Sequence, residues 1–238
     1  MSKRFQRGLV VGKFAPLLAR ARSAAGRTPV LVAGSTMPGE EALLLPVWRQ
    51  VRRNSPRALL ILAPRHPARF EEVATLLSEG GMKFVRRTKL ALEDEGLRAQ
   101  IESAEVLLLD TIGELAGVFE LADAVFMGGS LVPTGGHNVL EPAYWAKPIL
   151  FGPHMHNFRD IAQLLLAQDA AVQVKDAAGL SVELANLFSQ PERRVQLGQA
   201  ARKVLESQRG ATARVLEIVE RWLAPPTADA PPAAPRTS

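Results

Sequence analysis

The chain has 238 residues, 47% of them hydrophobic and 22% charged, a balance that excludes a wholly disordered polypeptide and supplies a core. It has no cysteine, which excludes a disulfide scaffold, a thiolate zinc site and thiol catalysis. A net charge of +5 with 5% aromatics suits an anionic ligand or an acidic membrane surface. It lacks the dense basic, aromatic-laced stripe of a nucleic-acid binder, so no nucleic-acid partner is expected.

Met1 to Gly8 is basic, and the short apolar stretch after it is broken by Lys13 and Pro16, a poor signal peptide. No apolar run reaches the roughly 20 residues that span a bilayer, so the expected place is the cytoplasm or the cytoplasmic face of a membrane. Val30 to Ala33 reads as a buried strand ending in Gly34-Ser35-Thr36. Pro38-Gly39-Glu40-Glu41 opens a helix running to about Arg53, with its acids in the turn the dipole favours. Leu59 to Ala63 is a second strand, and a helix from Pro67 is ended by Gly80-Gly81. Phe84 to Arg86 is a short strand, and Ala91 to Gln100 reads as polar and irregular. Strands follow at Val106 to Leu109, Ala124 to Met127, Ile149 to Phe151 and Ala171 to Val174. Helices lie between them at Gly113 to Leu121, Val139 to Trp145 and Phe158 to Ala167, and further helices start at Leu180, Glu192 and Gly210. The basic residues after Glu192 (Arg193, Arg194, Arg202, Lys203) read as a solvated face.

Strands alternating with helices predict βαβ units, and their continuous apolar runs predict a parallel sheet covered on both faces. The expected fold is α/β, a doubly wound Rossmann-like domain over residues 29–223. Residues 1–28 precede it as a connecting segment, and the Pro/Ala-rich residues 224–238 read as a disordered tail.

In such sheets ligands bind outside the carboxyl ends of the strands. The conspicuous polar segments fall there: Gly34-Ser35-Thr36, Pro64-Arg65-His66, Asp110 to Glu114, Gly128-Gly129-Ser130 and Gly152-Pro153-His154. The densest run, Gly128 to Pro142, joins a strand to a helix. Gly135 and Gly136 allow close backbone approach, and amides at the helix start can face an anion. Asn138 and Glu141 have capping-box spacing, and the same Glu141 could accept hydrogen bonds from ribose hydroxyls. Arg65 is a candidate phosphate contact. Glu114 reads equally as a dipole complement or as part of a base pocket with Gly113. His137, His154 and His156 lack metal-ligand spacing, so no metal is expected. No P-loop, G-x-G-x-x-G or G-x-S-x-G motif is present.

Five segments together resemble the 3-deoxy-D-manno-octulosonic acid (Kdo) transferases of lipopolysaccharide assembly. They are Gly34-Ser35-Thr36 with Gly39-Glu40-Glu41, Pro64-Arg65-His66-Pro67 with Arg69-Phe70, Asp110 to Leu115, Gly128 to Pro142, and Phe151-Gly152-Pro153-His154 with Asn157-Phe158. The resemblance runs from about Val30 to Gly210 and covers the donor side of a two-domain GT-B glycosyltransferase. It implies a CMP-Kdo donor, a lipid A precursor as acceptor, peripheral membrane association, no cofactor, and a catalytic glutamate base in an N-terminal domain that has no counterpart here. The CMP-contacting positions it implies are Pro64, Arg65, Ile112, Gly113, Glu114, Asn138, Val139, Leu140 and Glu141. Further donor contacts are expected from Ser35, Gly129, Ser130, Gly136 and His137. Val139 stands where the family usually carries proline. The competing readings are a GT-B donor domain for a UDP-sugar, a non-catalytic nucleotide-binding module, and a truncated reading frame.

Overall fold

The computed structural model describes residues 14–26, 28–90 and 94–223. The basic start of the chain and the Pro/Ala-rich tail lie outside the described residues. In chain order the elements are α1 (Phe14–Ala24), β1 (Val30–Thr36), α2 (Glu40–Asn54), β2 (Leu59–Pro64), α3 (Phe70–Glu79), β3 (Phe84–Arg86), α4 (Asp94–Ser103), β4 (Val106–Leu108), α5 (Leu115–Val118) and β5 (Ala124–Met127). They continue with α6 (Leu140–Tyr144), β6 (Ile149–Phe151), α7 (Arg159–Ala167), β7 (Val172–Gln173), α8 (Ala177–Ser189) and α9 (Pro191–Leu223). Among the described residues, seven strands form one sheet in the order β3-β4-β2-β1-β5-β6-β7, and every pairing is parallel.

Strand alternation divides the core into two layers. Val30 and Val32, Leu59 and Ile61, and Ile149 and Phe151 face α1, α4, α7 and α9. Leu31 and Ala33, Leu60 and Leu62, and Phe126 and Leu150 face α2, α3 and α8. With both faces covered, a continuous apolar run is the stable strand pattern, and this is why the interior strands β1, β2, β4, β5 and β6 are legible in the sequence, whereas the edge strands β3 and β7 are short and only partly covered.

Three parts of the sequence reading need correction. The segment read as irregular carries α4, because Leu97 and Ile101, one turn apart, are both fully buried; Gly96 and the flanking charges hide that stripe. The helices read as starting at Glu192 and Gly210 are one helix, α9. The basic run on α9 is a solvated face only at Lys203, which is exposed; its three arginines are bound. Arg193 pairs with Glu183 at 2.9 Å, Arg194 donates to the carbonyls of Leu187 and Phe188, and Arg202 lies over the Tyr144 ring and donates to its carbonyl. These cations pin α9 to α8 and α6. The connecting segment also ends in structure: α1 buries Phe14, Leu18 and Ala21 in the first core layer. No helix among the described residues is long and apolar enough to cross a membrane.

Candidate functional site

The chain lays down β1 to β4 on one side of the sheet, then crosses β1 to place β5, β6 and β7 on the other. The switch point lies between the carboxyl ends of β1 and β5, where open α/β sheets hold their ligands. The two strand ends approach so closely there that a Cβ on Gly128 would run into the Ser35 carbonyl. Ser35 itself is left-handed, with φ 57°, an uncommon backbone state for a non-glycine residue and one that clusters at functional sites.

The Gly128-Gly129-Ser130 turn is organised by an anion of the protein's own. Glu40 is fully buried. Its carboxylate accepts from the N–H groups of Gly129 (2.6 Å), Ser130 (2.9 Å), Leu131 (2.9 Å) and Met37 (3.0 Å). A run of backbone N–H groups in a turn is an anion nest, and this one is filled from within. Ser130 is fully buried, and its hydroxyl donates to Met127 O and accepts from Gly152 N–H. Neither the Ser130 side chain nor the amides of Gly129 and Ser130 remain for a ligand.

A second carboxylate, Glu41, takes both terminal nitrogens of Arg69 at 2.8 and 2.9 Å and the Thr36 hydroxyl at 2.6 Å. The hydrogen bonds it donates to Glu41 hold Arg69 well above its ordinary range. Asp110, after β4, accepts from the Thr88 hydroxyl (2.6 Å) and N–H (2.9 Å) and from Arg86 (2.7 Å). Burial pushes its carboxyl up, but these bonds outweigh burial and hold it below the usual carboxylate range. Glu114 binds Arg87 through both oxygens (2.7 and 2.9 Å) and the Thr111 hydroxyl (2.5 Å), and Arg87 in turn sits 4.0 Å over the Phe14 ring. Glu40, Glu41 and Glu114, read as helix-start residues, are thus bound scaffold groups. The signal was present for the first two: Glu40 heads the stripe Leu44-Val47-Val51, and Glu41 heads Leu44-Leu45-Trp48, both at core-facing helical spacing. Arg86 and Arg87 carried no local signal, because their partners lie 24 and 27 residues away.

What remains around the switch point is compact. Pro64 ends β2 in the core, and Arg65 follows it, exposed, with its N–H on Thr36 O at 2.9 Å. The Arg65 guanidinium makes no ion pair or hydrogen bond among the described residues, yet its charge reaches both His137 and Glu141. Burial lowers the His137 pKa, and Arg65 and His66 lower it further. The imidazole is therefore neutral at neutral pH, and its buried Nε2 has no partner among the described residues. Burial raises the Glu141 pKa, against the opposing effects of Asn138 and Arg65. Asn138 accepts from Leu140 N–H and donates its amide to Glu141 at 3.3 Å. The capping box is therefore half formed: Glu141 takes the Asn138 side chain rather than its backbone.

Val139 and Leu140 turn their side chains into the core, which leaves only their backbone toward the crevice. Val139 has φ −78°, within proline's range, so valine holds the geometry that the usual proline would impose. Gly136 has φ +75°, and its N–H donates to Gly129 O at 2.7 Å. Ile112 is 69% exposed, and next to it Gly113, at φ +89°, has open space where a Cβ would stand. The structure thus gathers Arg65, His137, Asn138 and Glu141 into one group at the switch point, and places the exposed Ile112-Gly113 turn beyond β2, at the end of β4.

Comparison with known proteins fits this geometry. No family model matches the chain. It is 36% identical over 196 residues to a 3-deoxy-D-manno-octulosonic acid transferase of Haemophilus influenzae, covering 82% of this chain and 44% of that protein. It is 36% identical over 203 residues to the transferase of the same name from Bordetella pertussis, covering 84% and 46%. The chain is homologous to one half of the Kdo transferases. That half is defined by a solved structure, the C-terminal CMP-Kdo binding domain of WaaA from Acinetobacter baumannii. It superposes with a TM-score of 0.70 at 29% identity, covering 80% of this chain and 98% of that one. The chain spans about half the length of the curated Kdo transferases it matches. More distant likenesses, such as the trehalose-6-phosphate synthase OtsA (TM-score 0.57, 12% identity), show the glycosyltransferase fold alone.

Proposed function

We propose that this chain is the donor-binding half of a Kdo transferase, holding CMP-Kdo while Kdo passes to a hydroxyl of a lipid A precursor. The observation that carries this reading is the group at the switch point: Arg65 without an ion-pair partner among the described residues, His137 with a buried nitrogen that has no partner among them, and a half-buried Glu141 held by Asn138. Arg65 meets the donor phosphate. Glu141 accepts from the ribose hydroxyls. Ile112 and Gly113 offer an apolar, open face to the base.

In the reaction the acceptor hydroxyl attacks the anomeric carbon of Kdo, the glycosidic C–O bond to phosphate breaks, and CMP leaves with the bonding pair. Arg65 stabilises the charge growing on that phosphate, the electrostatic part of such catalysis. The proton of the hydroxyl goes to a base outside this group, since Glu40, Glu41 and Glu114 are all bound into the scaffold. That base, the lipid acceptor site and contact with the membrane surface belong to the partner domain of the two-domain enzyme.

Calorimetric titration with CMP tests the assignment. Arg65→Ala is expected to weaken CMP about tenfold or more, the effect of losing one charged hydrogen bond, about 1.5–3 kcal/mol. UMP binding as tightly as CMP would move the domain to another glycosyltransferase donor. Unchanged CMP affinity in Arg65→Ala would remove Arg65 from the site.

Glu141 adds a pH signature. As the ribose acceptor it works ionised, and its folded pKa is raised by burial. CMP affinity should therefore fall on acidification at a pH above that at which an ordinary carboxylate, with a pKa of about 4.3, protonates. Glu141→Gln removes that limb and leaves the one belonging to the CMP phosphate. Identical profiles for the two proteins would deny Glu141 the role.

A further inference from the structure

The chain has four histidines, and the fold divides them. His66 and His137 belong to the switch-point crevice. His154 and His156 stand on the loop after β6, at a separate cavity of about 370 Å³ between that loop, α7 and the end of β7. Arg159, Gln163 and Gln173 complete its polar lining, and Met155, Ala162 and Leu166 form an apolar floor. No carboxylate lines it. Among the described residues, the side chains of His154, His156, Arg159 and Gln163 make no hydrogen bond or ion pair. Four polar groups thus converge without a protein partner, one of them a full positive charge.

The loop itself is the wall between this cavity and the crevice. On its crevice side, Met155 packs against Gly136 and His156 against Gly135, so closely that a Cβ on either glycine would clash. Asn157 donates its N–H to Gly135 O at 3.0 Å and its amide to Thr134 O at 3.2 Å, and His154 N–H reaches Ser130 O at 3.0 Å. The loop thus stands between the two spaces, with Met155 and His156 touching the glycines on one side and lining the cavity on the other.

We propose that this cavity is a second ligand site, and that it takes a small phosphorylated sugar. The argument is chemical. A guanidinium without a counter-ion is the side chain that recognises phosphate by paired hydrogen bonds. The Gln163 carboxamide and two imidazoles supply the mixed donors and acceptors that sugar hydroxyls need, while the Gln173 amide is held on Gly152 O at 3.4 Å. The Met155-Ala162-Leu166 floor suits the apolar face of a pyranose ring. The volume lies within the range of small-molecule sites, about 300–1,000 Å³. The site does not depend on the donor reading of the crevice, because no group is shared between the two.

The histidine split makes the test direct. Side-chain NMR of the four imidazoles, assigned with His→Gln variants, is followed while the chain is titrated with glucose 6-phosphate, glucose, inorganic phosphate and CMP. Glucose 6-phosphate is expected to shift His154 and His156 and leave His66 and His137 in place, with a Kd on the order of 1 mM for so small a ligand. Inorganic phosphate should shift the same pair more weakly, and glucose alone should shift neither. Arg159→Ala, at an exposed position, should fold normally and weaken glucose 6-phosphate about tenfold. Saturation with CMP should leave that affinity unchanged. Three results would each overturn the site: no shift of His154 and His156, a shift indifferent to Arg159→Ala, or displacement by CMP, which would merge the cavity with the crevice. Failure of CMP to move His66 and His137 would count against the donor reading alone.

Discussion

Arg69→Met is expected to destabilise the fold by about 3–5 kcal/mol, the usual effect of breaking a buried ion pair from one side. The side chains of Arg69 and Glu41 are 9% and 1% exposed, and the pair is joined by two parallel hydrogen bonds. Removing the guanidinium leaves the Glu41 carboxylate buried with the Thr36 hydroxyl as its remaining partner among the described residues. The second acid on Arg69, Glu72, is well exposed and contributes little. The double variant Glu41→Leu/Arg69→Met replaces both charges by apolar groups and should recover most of the loss, because the penalty lies in the orphaned charge rather than in the missing bond. Urea unfolding of the wild type, both single variants and the double variant measures this. A loss of under about 1 kcal/mol in Arg69→Met would show that water reaches Glu41 and that the pair is an exposed one.

The consequence for function lies in where this pair sits. Thr36 O, at the end of β1, accepts from Arg65 N–H and from Arg69, so the Glu41–Arg69 clamp fixes the turn that carries Arg65. The other two carboxylate–arginine links act in the same way. Asp110 with Arg86 and Thr88, and Glu114 with Arg87, tie the loop after β3 to the Asp110–Gly113 turn. These links hold the loops at the carboxyl ends of the strands in place around the proposed donor group of Arg65, His137 and Glu141.

This division explains what could be read from the sequence. The five interior strands and the switch-point position of the glycine-rich segment were legible, because buried parallel strands write continuous apolar runs and their polar ends stand out against them. The places of Arg65, Asn138 and Glu141 at the strand ends were legible for the same reason; their contacts with a ligand are a proposal. Helix α4 was not, since its buried stripe is only Leu97 and Ile101 within a polar segment. Glu40, Glu41 and Glu114 stand at helix starts as read, but an acid there satisfies a local rule that says nothing of what faces it. Their partners come from other strands: Gly129 and Ser130 are 89 and 90 residues from Glu40. Ser130 was read as a donor contact from its place after a glycine pair, and only the fold shows its hydroxyl bridging β5 to the start of the loop after β6.

Glu40→Gln should be the most disruptive conservative change at the crevice. The substitution keeps shape and volume and exchanges one acceptor oxygen for an NH₂ group. In the wild type each carboxylate oxygen accepts from two N–H groups: Oε1 from Ser130 and Leu131, Oε2 from Gly129 and Met37. Whichever way the amide is turned, two backbone N–H donors then face a donor, in a place water does not reach. At about 1–3 kcal/mol for each buried donor left unmatched, partly relieved by movement of the loop, the expected destabilisation is about 2–4 kcal/mol. On the proposed donor reading, CMP affinity should fall at least about tenfold although none of the side chains proposed to contact CMP has changed, because Gly129 supports both the His137 ring and the Gly136 N–H. Glu40→Asp keeps the charge but is one methylene short of the nest, and should fall between wild type and Glu40→Gln on both measures. Hydrogen exchange separates loop disorder from global unfolding. The amides of Gly129, Ser130 and Leu131 should be strongly protected in the wild type and lose protection in Glu40→Gln under conditions where the β1 and β2 amides remain protected. Full protection of those three amides in the variant, with wild-type CMP affinity, would mean that the turn holds its shape without the carboxylate. Loss of protection with unchanged CMP affinity would mean that donor binding does not rest on the Gly128–Ser130 turn at all, and the search for the phosphate contact would then move to the helix start at Asn138.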